Sequence, residues 1–514
     1  MRSRFLTGVM MAALVGVAPA PLPQVTAQAQ PAGQREGFCR SADPLPRLGP
    51  EASQQQQRSA GERGRERTYD AVPAAPPPPP APPVPTASAA PGRDVIVTET
   101  PVTEERAMAA PAPSDTASSG GPSEAARAVV RPWPHPRPQP QPQSGILTAG
   151  EHDDLLNPEL YAAYVNRSNL GQKIRALPRV DTMRVVRVKV SDRNGQPIPF
   201  AEVTVTCSDG NSLALATHTD GSVVFFPGLD RLSERITVSA RRGGRTIAET
   251  RPVFVSNAPG GQLVGLTANQ MATRVTKLDL MLVVDTTGSM GDEIAYLQAE
   301  IRSIIAAITA KHRDLDIRIG FVFYRDLGDD YITRTIAFDR DIGRAQGVLA
   351  QQYASGGGDY PEAMDQALIR AVGQNWRPDA VKSLLLVADA PPHDELFART
   401  WAAAEAARAR RIHITPVAAS GVADEAEYAM RAMAAVTQSR YLFLTDDSGV
   451  GNPHAAPAID CYLVTRLDAL VRRVIDSQIS GRRIEPEDQE VIRRVGEYDA
   501  GRCILPAGFR WDNQ

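Results

Sequence analysis

Apolar positions change their spacing along this chain, and each spacing predicts a different architecture. Between Met183 and Asn257 they alternate. Val186, Val188 and Val190 are separated by Arg187 and Lys189, and Val203, Val205 and Cys207 repeat the pattern. Alternation marks strands with one buried face. Asn194-Gly195, Asp209-Gly210, Asp220-Gly221 and Gly243-Gly244 supply turns between them. Residues 183–257 are therefore expected to form a small all-β sandwich. From 277 to 481 continuous apolar runs replace the alternation. Leu280–Val284, Asp316–Asp326, Ser383–Asp389, Ile412–Val417 and Tyr441–Thr445 read as strands buried on both faces. Between the first two, Ile294, Leu297, Ile301, Ile304, Ile305 and Ile308 fall at helical spacing. Strands alternating with helices predict an α/β unit with a doubly wound, mostly parallel sheet. Tyr331–Phe338, short and β-branched, is expected at its edge. Tyr462–Ile479 carries one apolar stripe and is expected to close the unit as its last helix. Residues 145–180 read as a short helical segment, with Glu151-His152-Asp153-Asp154 as a charged helix start. Residues 482–514 read as a charged tail.

The first 144 residues follow neither pattern. Arg2 and Arg4, the apolar Phe5–Ala18 and the small residues Ala27 and Ala29 form a secretory signal over 1–29. Its apolar core is too short for an ordinary membrane span. Export to the periplasm or the medium is expected, with no membrane span after cleavage. Residues 30–144 include the Gln54–Gln57 run, the Ala/Pro tract Ala74–Pro85 and the Pro-rich Pro132–Gln143. Such composition buries too little apolar surface to offset the entropy of ordering, so a disordered spacer is expected. The formal charge of −3 over 514 residues gives no general attraction for nucleic acid. Of the four cysteines, Cys461 and Cys503 flank the last predicted helix and can join in an oxidising compartment. Cys207 reads as a buried core thiol, and Cys39 falls in the spacer. No spacing among them makes a zinc site.

Candidate chemistry gathers where the apolar runs stop. Asp285, Thr287 and Ser289 are spaced i, i+2, i+4 in the turn after Leu280–Val284. Three oxygens aimed at one point suit a hard cation, and α/β sheets place ligand sites beyond such strand ends. The same residues also suit a helix N-cap turn. Ser355–Ala363 then brings three glycines, which let backbone approach a ligand closely, followed by Asp359, Pro361 and Glu362. The third apolar run ends in Asp389.

DTTGS, GGGDYPEA and LLLVADAPPH resemble, in order, the three metal-site loops of von Willebrand factor type A domains, over about 277–481. The resemblance implies that Thr287 and Ser289 bind the cation directly and that Asp285 and Asp389 act through water. Asp359 takes a position usually held by threonine, although before Pro361 it also suits an N-cap. Mg²⁺ or Mn²⁺ and a protein ligand are implied, in an adhesion-type module. Three aspartates would more than offset a divalent cation, which lowers its demand for a carboxylate from the partner. DRNGQPIPFAEVTV with VVFFPGL resembles the transthyretin-like carboxypeptidase regulatory-type domain, a non-catalytic companion. Arg325 and Asp326 are expected as a buried pair supporting the loops, with His393 on the rim. Catalysis is not expected. Ser289, Asp389 and His393 supply triad residue types without a nucleophile elbow, and phosphate-loop, HExxH and CxxC motifs are absent. The competing reading is a cell-envelope scaffold whose metal is only structural.

Overall fold

The computed structural model describes residues 37–51, 142–168, 170–450 and 454–510. The expected signal segment, and most of the proline-rich stretch, lie outside the described residues.

Residues 37–51 correct the expectation of a spacer running from 30 to 144. Cys39 is 4% exposed and disulfide-bonded to Cys207, with Cα atoms 5.8 Å apart. Cys207 is therefore not the buried thiol expected, and Cys39 does not lie in a spacer. Arg40 pairs with Glu405 at 2.9 Å, and Leu45 and Leu48 pack against the main core. Glu51 accepts hydrogen bonds from Thr333 and Thr335.

β1 (Thr148–His152) is a strand where a helix start was expected, and all five of its residues are buried. Its charged residues find partners inside. Glu151 accepts from Arg440 at 2.7 Å, and Asp154, just beyond the strand, accepts from Arg431 at 2.7 Å. Such pairing is what makes buried charge tolerable. α1 (Pro158–Arg167) follows, with proline in its first turn.

Eight strands come next: β2 (Val186–Ser191), β3 (Glu202–Cys207), β4 (Ser212–Ala216), β5 (Ser222–Phe225), β6 (Arg235–Arg242), β7 (Arg245–Glu249), β8 (Val253–Phe254) and β9 (Gln262–Thr267). They form two sheets, β5-β2-β9 and β4-β3-β6-β7, with β8 on β6. The alternation in β2 and β3 buries Val188, Val190, Val203 and Val205 in one cluster shared by both sheets. β9 runs parallel to β2, so the β region continues past Asn257 to Thr267.

The α/β part contains β10 (Lys277–Asp285), α2 (Ile294–Lys311), β11 (Asp316–Tyr324), β12 (Thr333–Asp339), α3 (Ile342–Leu349), α4 (Met364–Val372), β13 (Val381–Ala388), α5 (Phe397–Ala409), β14 (His413–Ala418), α6 (Asp424–Val436), β15 (Tyr441–Thr445), β16 (Tyr462–Arg466), α7 (Leu467–Ser480) and β17 (Arg493–Val495). Strand order is β12-β11-β10-β13-β14-β15-β1-β16-β17. β11 through β15 pair in parallel, except for the edge strand β12. β1 is antiparallel to both neighbours, and β17 is antiparallel to β16. The sheet is therefore mixed, not mostly parallel. Leu280, Leu282 and Val284 of β10 enter the core on one face, and Met281 and Val283 the core on the other. A strand buried on both sides needs an unbroken apolar run. Two further expectations change. Tyr462–Arg466 is a strand, and the helix starts at Leu467. The tail is docked as well: β17 pairs with β16, and Cys503 is joined to Cys461.

Candidate metal centre

The register of β10 builds the centre. Asp285 lies opposite Tyr324 of β11, and Val284 lies opposite Val387 of β13. Asp285 and Asp389 therefore leave the sheet side by side at the C-terminal ends of their strands. Asp285 is fully buried. Its Oδ1 accepts from the Thr287 N–H at 2.9 Å and the Thr287 hydroxyl at 2.7 Å. Thr287 Oγ1 lies 3.1 Å from the hydroxyl of Ser289, which is exposed. Asp285 Oδ2 is buried without a hydrogen bond of good geometry, and the buried Tyr324 hydroxyl interacts with the carboxylate. Burial pushes the Asp285 carboxyl up to about 7, the charge of Asp389 adds to the rise, and the Thr287 hydrogen bonds oppose it.

Backbone bonds lock the three loops together. The N–H and hydroxyl of Thr286 donate to the Tyr324 carbonyl at 2.9 and 2.8 Å. Gly288 N–H donates to the Gly356 carbonyl at 3.0 Å, and Ser355 N–H to the Thr286 carbonyl at 3.0 Å. Gly357, at φ +68°, lets the second loop close over the turn. A Cβ there would lie 2.9 Å from Glu362 Oε1 and 3.3 Å from Thr287 Cβ.

That distance brings in Glu362, which was not among the residues expected to hold a cation. Glu362 is 2% exposed, and its N–H donates to the Pro391 carbonyl at 2.9 Å, tying the second loop to the third. Its Oε2 is buried without a partner. Burial pushes the carboxyl up to about 10, with Asp285, Asp326, Asp329 and Asp389 adding to the effect. Asp359, the residue expected in the centre, is exposed in the bend before Pro361. The bridge between Glu362 and Pro392 draws Glu362 inward and leaves that bend outside. Asp-Tyr-Pro-Glu offers two carboxylates, and only the loop pairing decides which one turns in.

Arg325 is not the partner of Asp326. Its Nε donates to the Thr286 carbonyl at 3.2 Å and its Nη2 to the Tyr353 carbonyl at 3.1 Å. Its guanidinium lies over the Tyr331 and Tyr353 rings at 4.7 and 5.1 Å, and its ion pair is with Asp330 at 3.4 Å. Asp326 instead meets His393 Nε2 at 2.6 Å. Burial alone would lower the His393 pKa, but Asp326 raises it above its ordinary value. A second imidazole braces the first loop from below. His454 Nε2 lies 2.8 Å from Glu293, which is fully buried, and its Nδ1 lies 2.7 Å from Asp446.

The structure thus brings Asp285, Thr287, Ser289 and Asp389 to one rim and adds Glu362, with Asp359 in the exposed bend, where its charge acts on His393. Buried carboxylate oxygens beside two hydroxyls fit a hard divalent cation. Among the described residues no three His, Cys, Asp or Glu side chains close into a metal cluster, so a cation here depends on the hydroxyls as well.

Residues 279–452 match the family model of the von Willebrand factor A domain. The alpha-protein kinase vwkA of Dictyostelium discoideum is 33% identical over 118 residues, 23% of this chain and 19% of that protein. A putative ariadne-like RING finger protein of Acanthamoeba polyphaga mimivirus is 36% identical over 125 residues, 24% of this chain and 12% of that protein. The chain thus spans under a fifth of the length of the curated relatives it matches. Among solved structures, the conserved hypothetical protein BatB from Bacteroides thetaiotaomicron aligns at 12% identity and TM-score 0.27, over 39% of this chain and 98% of that one.

Proposed function

We propose that the A domain is a divalent-cation-dependent protein-binding module of an exported, non-enzymatic protein. Mg²⁺ or Mn²⁺ would be held by the Thr287 and Ser289 hydroxyls, with Asp285, Asp389 and Glu362 supplying negative charge. Bound there, the cation would supply a Lewis-acidic point at which a partner's oxygen can dock. The observation that carries this reading is the buried Oδ2 of Asp285, without a hydrogen bond of good geometry, beside the two hydroxyls. Export is supported by the pairing of all four cysteines, since disulfides persist in oxidising compartments. Among the described residues no helix is long and apolar enough to cross a membrane. We read the two sheets over β2–β9 as the sandwich of transthyretin-like kind, a companion without catalytic residues.

The second reading, an envelope scaffold with a structural metal, is favoured by Glu362. With Asp285 and Asp389 it would more than balance a divalent charge, which reduces the cation's demand for an acidic partner residue. Calorimetric titration of Mg²⁺ and Mn²⁺ into the chelator-treated full chain, beside Asp285→Ala, tests the site. Saturable one-site binding that the substitution abolishes is expected, and heat from neither ion in the wild type would end the metal proposal. Partner binding that survives chelation would leave the scaffold reading in place of the adhesion one.

A further inference from the structure

At the opposite edge of the nine-stranded sheet, where β14 begins at His413, the α/β part meets the smaller β unit. A cavity of about 440 Å³ lies in this seam, a size ordinary for small-molecule sites. Both parts supply its walls. Arg187 of β2 and His218 before β5 come from one, and His413, Gln478 of α7 and Arg482 from the other. Leu155, Leu156 and Val474 add an apolar patch.

The polar groups of this seam are incompletely used. His218 and His413 stack across it with ring centroids 4.0 Å apart. His413 Nδ1 lies 3.1 and 3.0 Å from the carbonyls of Thr437 and Gln438, so that nitrogen carries the proton and Nε2 is left as an acceptor. Gln478 is 8% exposed. Its Nε2 donates to Thr415 at 3.3 Å, and its Oε1 is buried with no partner. Four arginines face two aspartates around the cavity. Arg440 and Arg483 are occupied by Glu151 and Asp153 at 2.7 and 3.4 Å. Arg187 and Arg482 make no ion pair among the described residues, and Asp220 is engaged by the Ser222 N–H at 2.9 Å. Burial keeps both imidazoles neutral. His413, Arg411, Lys382 and Arg187 further oppose a charge on His218. A mere packing defect would be lined by satisfied or apolar groups. This cavity instead offers guanidinium donors with no acidic partner among the described residues, and idle acceptors.

We propose that the seam cavity binds a small organic anion, a carboxylate or phosphate ester that also carries a hydroxyl or amine donor. Arg187 and Arg482 take the oxyanion, while Gln478 Oε1 and His413 Nε2 accept from the donor. His413 stays neutral to keep Nε2 an acceptor, while the bound negative charge favours a proton on His218, so binding takes up a proton at that ring. The site is independent of the metal centre, which lies at the other edge of the sheet.

The test titrates the full chain with inorganic phosphate and, separately, with citrate. It follows the ring resonances of His218 and His413 and the melting temperature. Saturable shifts of both rings with at least one probe are expected, together with a higher pKa for the His218 ring and a raised Tm in the saturated chain. Phosphate alone would mark a phosphate ester site, and citrate alone a carboxylate site. Arg187→Gln/Arg482→Gln should weaken binding at least tenfold, and Arg482→Glu, a charge reversal at an exposed position, should do so even if the double variant folds poorly. The proposal is overturned if neither probe gives a saturable shift, or if Arg482→Glu binds as well as the wild type with an unchanged circular dichroism spectrum.

Discussion

Glu362 carries two opposed demands. Without a cation it is a buried carboxylate with an unpartnered oxygen, surrounded by Asp285, Asp326, Asp329 and Asp389. With a cation, the same crowding becomes attraction. Glu362→Gln keeps the shape and the N–H bond to Pro391 while removing the charge. In chelator at neutral pH, the variant should be more stable than the wild type by roughly 1–3 kcal/mol, because the wild-type carboxyl, pushed up to about 10, must take up a proton on folding and the amide need not. In Mg²⁺ the order should reverse, with cation affinity reduced roughly tenfold, about 1.4 kcal/mol. Calorimetric melting in both conditions checks this. Equal cation affinity in the two proteins would remove Glu362 from the site. Asp359→Ala, in the exposed bend, should leave affinity within about twofold, roughly 0.4 kcal/mol.

At the scale of elements, legibility followed burial. The strands β10, β11, β13, β14 and β15 could be read in advance because each is buried on both faces and spells an apolar run. The Asp285–Ser289 turn and Asp389 were legible for the same reason, since each follows such a run. β1 was not. Its Glu151 and His152 look solvated, and it takes Arg440, 289 residues away in sequence, together with Arg483 to make the glutamate's burial tolerable. Residues 37–51 were hidden by the low-complexity sequence around them. Their fixed points are the Cys39–Cys207 bond, the Arg40–Glu405 pair and Glu51 on the edge strand β12. This segment binds the small β unit to the α/β part like a strap. Cys39→Ser/Cys207→Ser should lower stability by about 2–5 kcal/mol, the usual loss for a native disulfide. It should also open a protease site near residues 37–51. Calorimetry and limited proteolysis followed by mass spectrometry provide the check, and an unchanged digestion pattern would show that the non-covalent contacts hold the strap alone.

For the whole molecule, the two edges of one sheet carry different work. The C-terminal edge holds the candidate metal centre. Glu51 is anchored there beside Thr333, which pairs with Tyr324, and Thr148 re-enters there against Thr445. Residues 37–51 thus end, and the strand β1 begins, at the same end of the sheet as that centre. The opposite edge is fused to the small β unit. Arg408 of α5 meets both carboxylate oxygens of Asp230 at 2.7 Å and donates to the Val224 carbonyl at 3.0 Å, with its guanidinium 5.2 Å from the Phe226 ring. Arg411 lies 3.9 Å over the Phe200 ring. Partners this buried make the two parts one cooperative body, so the wild type should melt in a single calorimetric transition. Removing one member of a buried pair leaves the other uncompensated, at about 3–5 kcal/mol. Arg408→Ala concentrates that loss at the seam and should split the melt into two transitions, the lower one coming from the small β unit. Asp230→Asn/Arg408→Met, which leaves no orphaned charge, should recover part of the loss. A single transition at the wild-type temperature in Arg408→Ala would mean that the seam does not couple the two parts. The anion cavity beside it would then have to be treated as a site on the surface of one part, not as a joint between two.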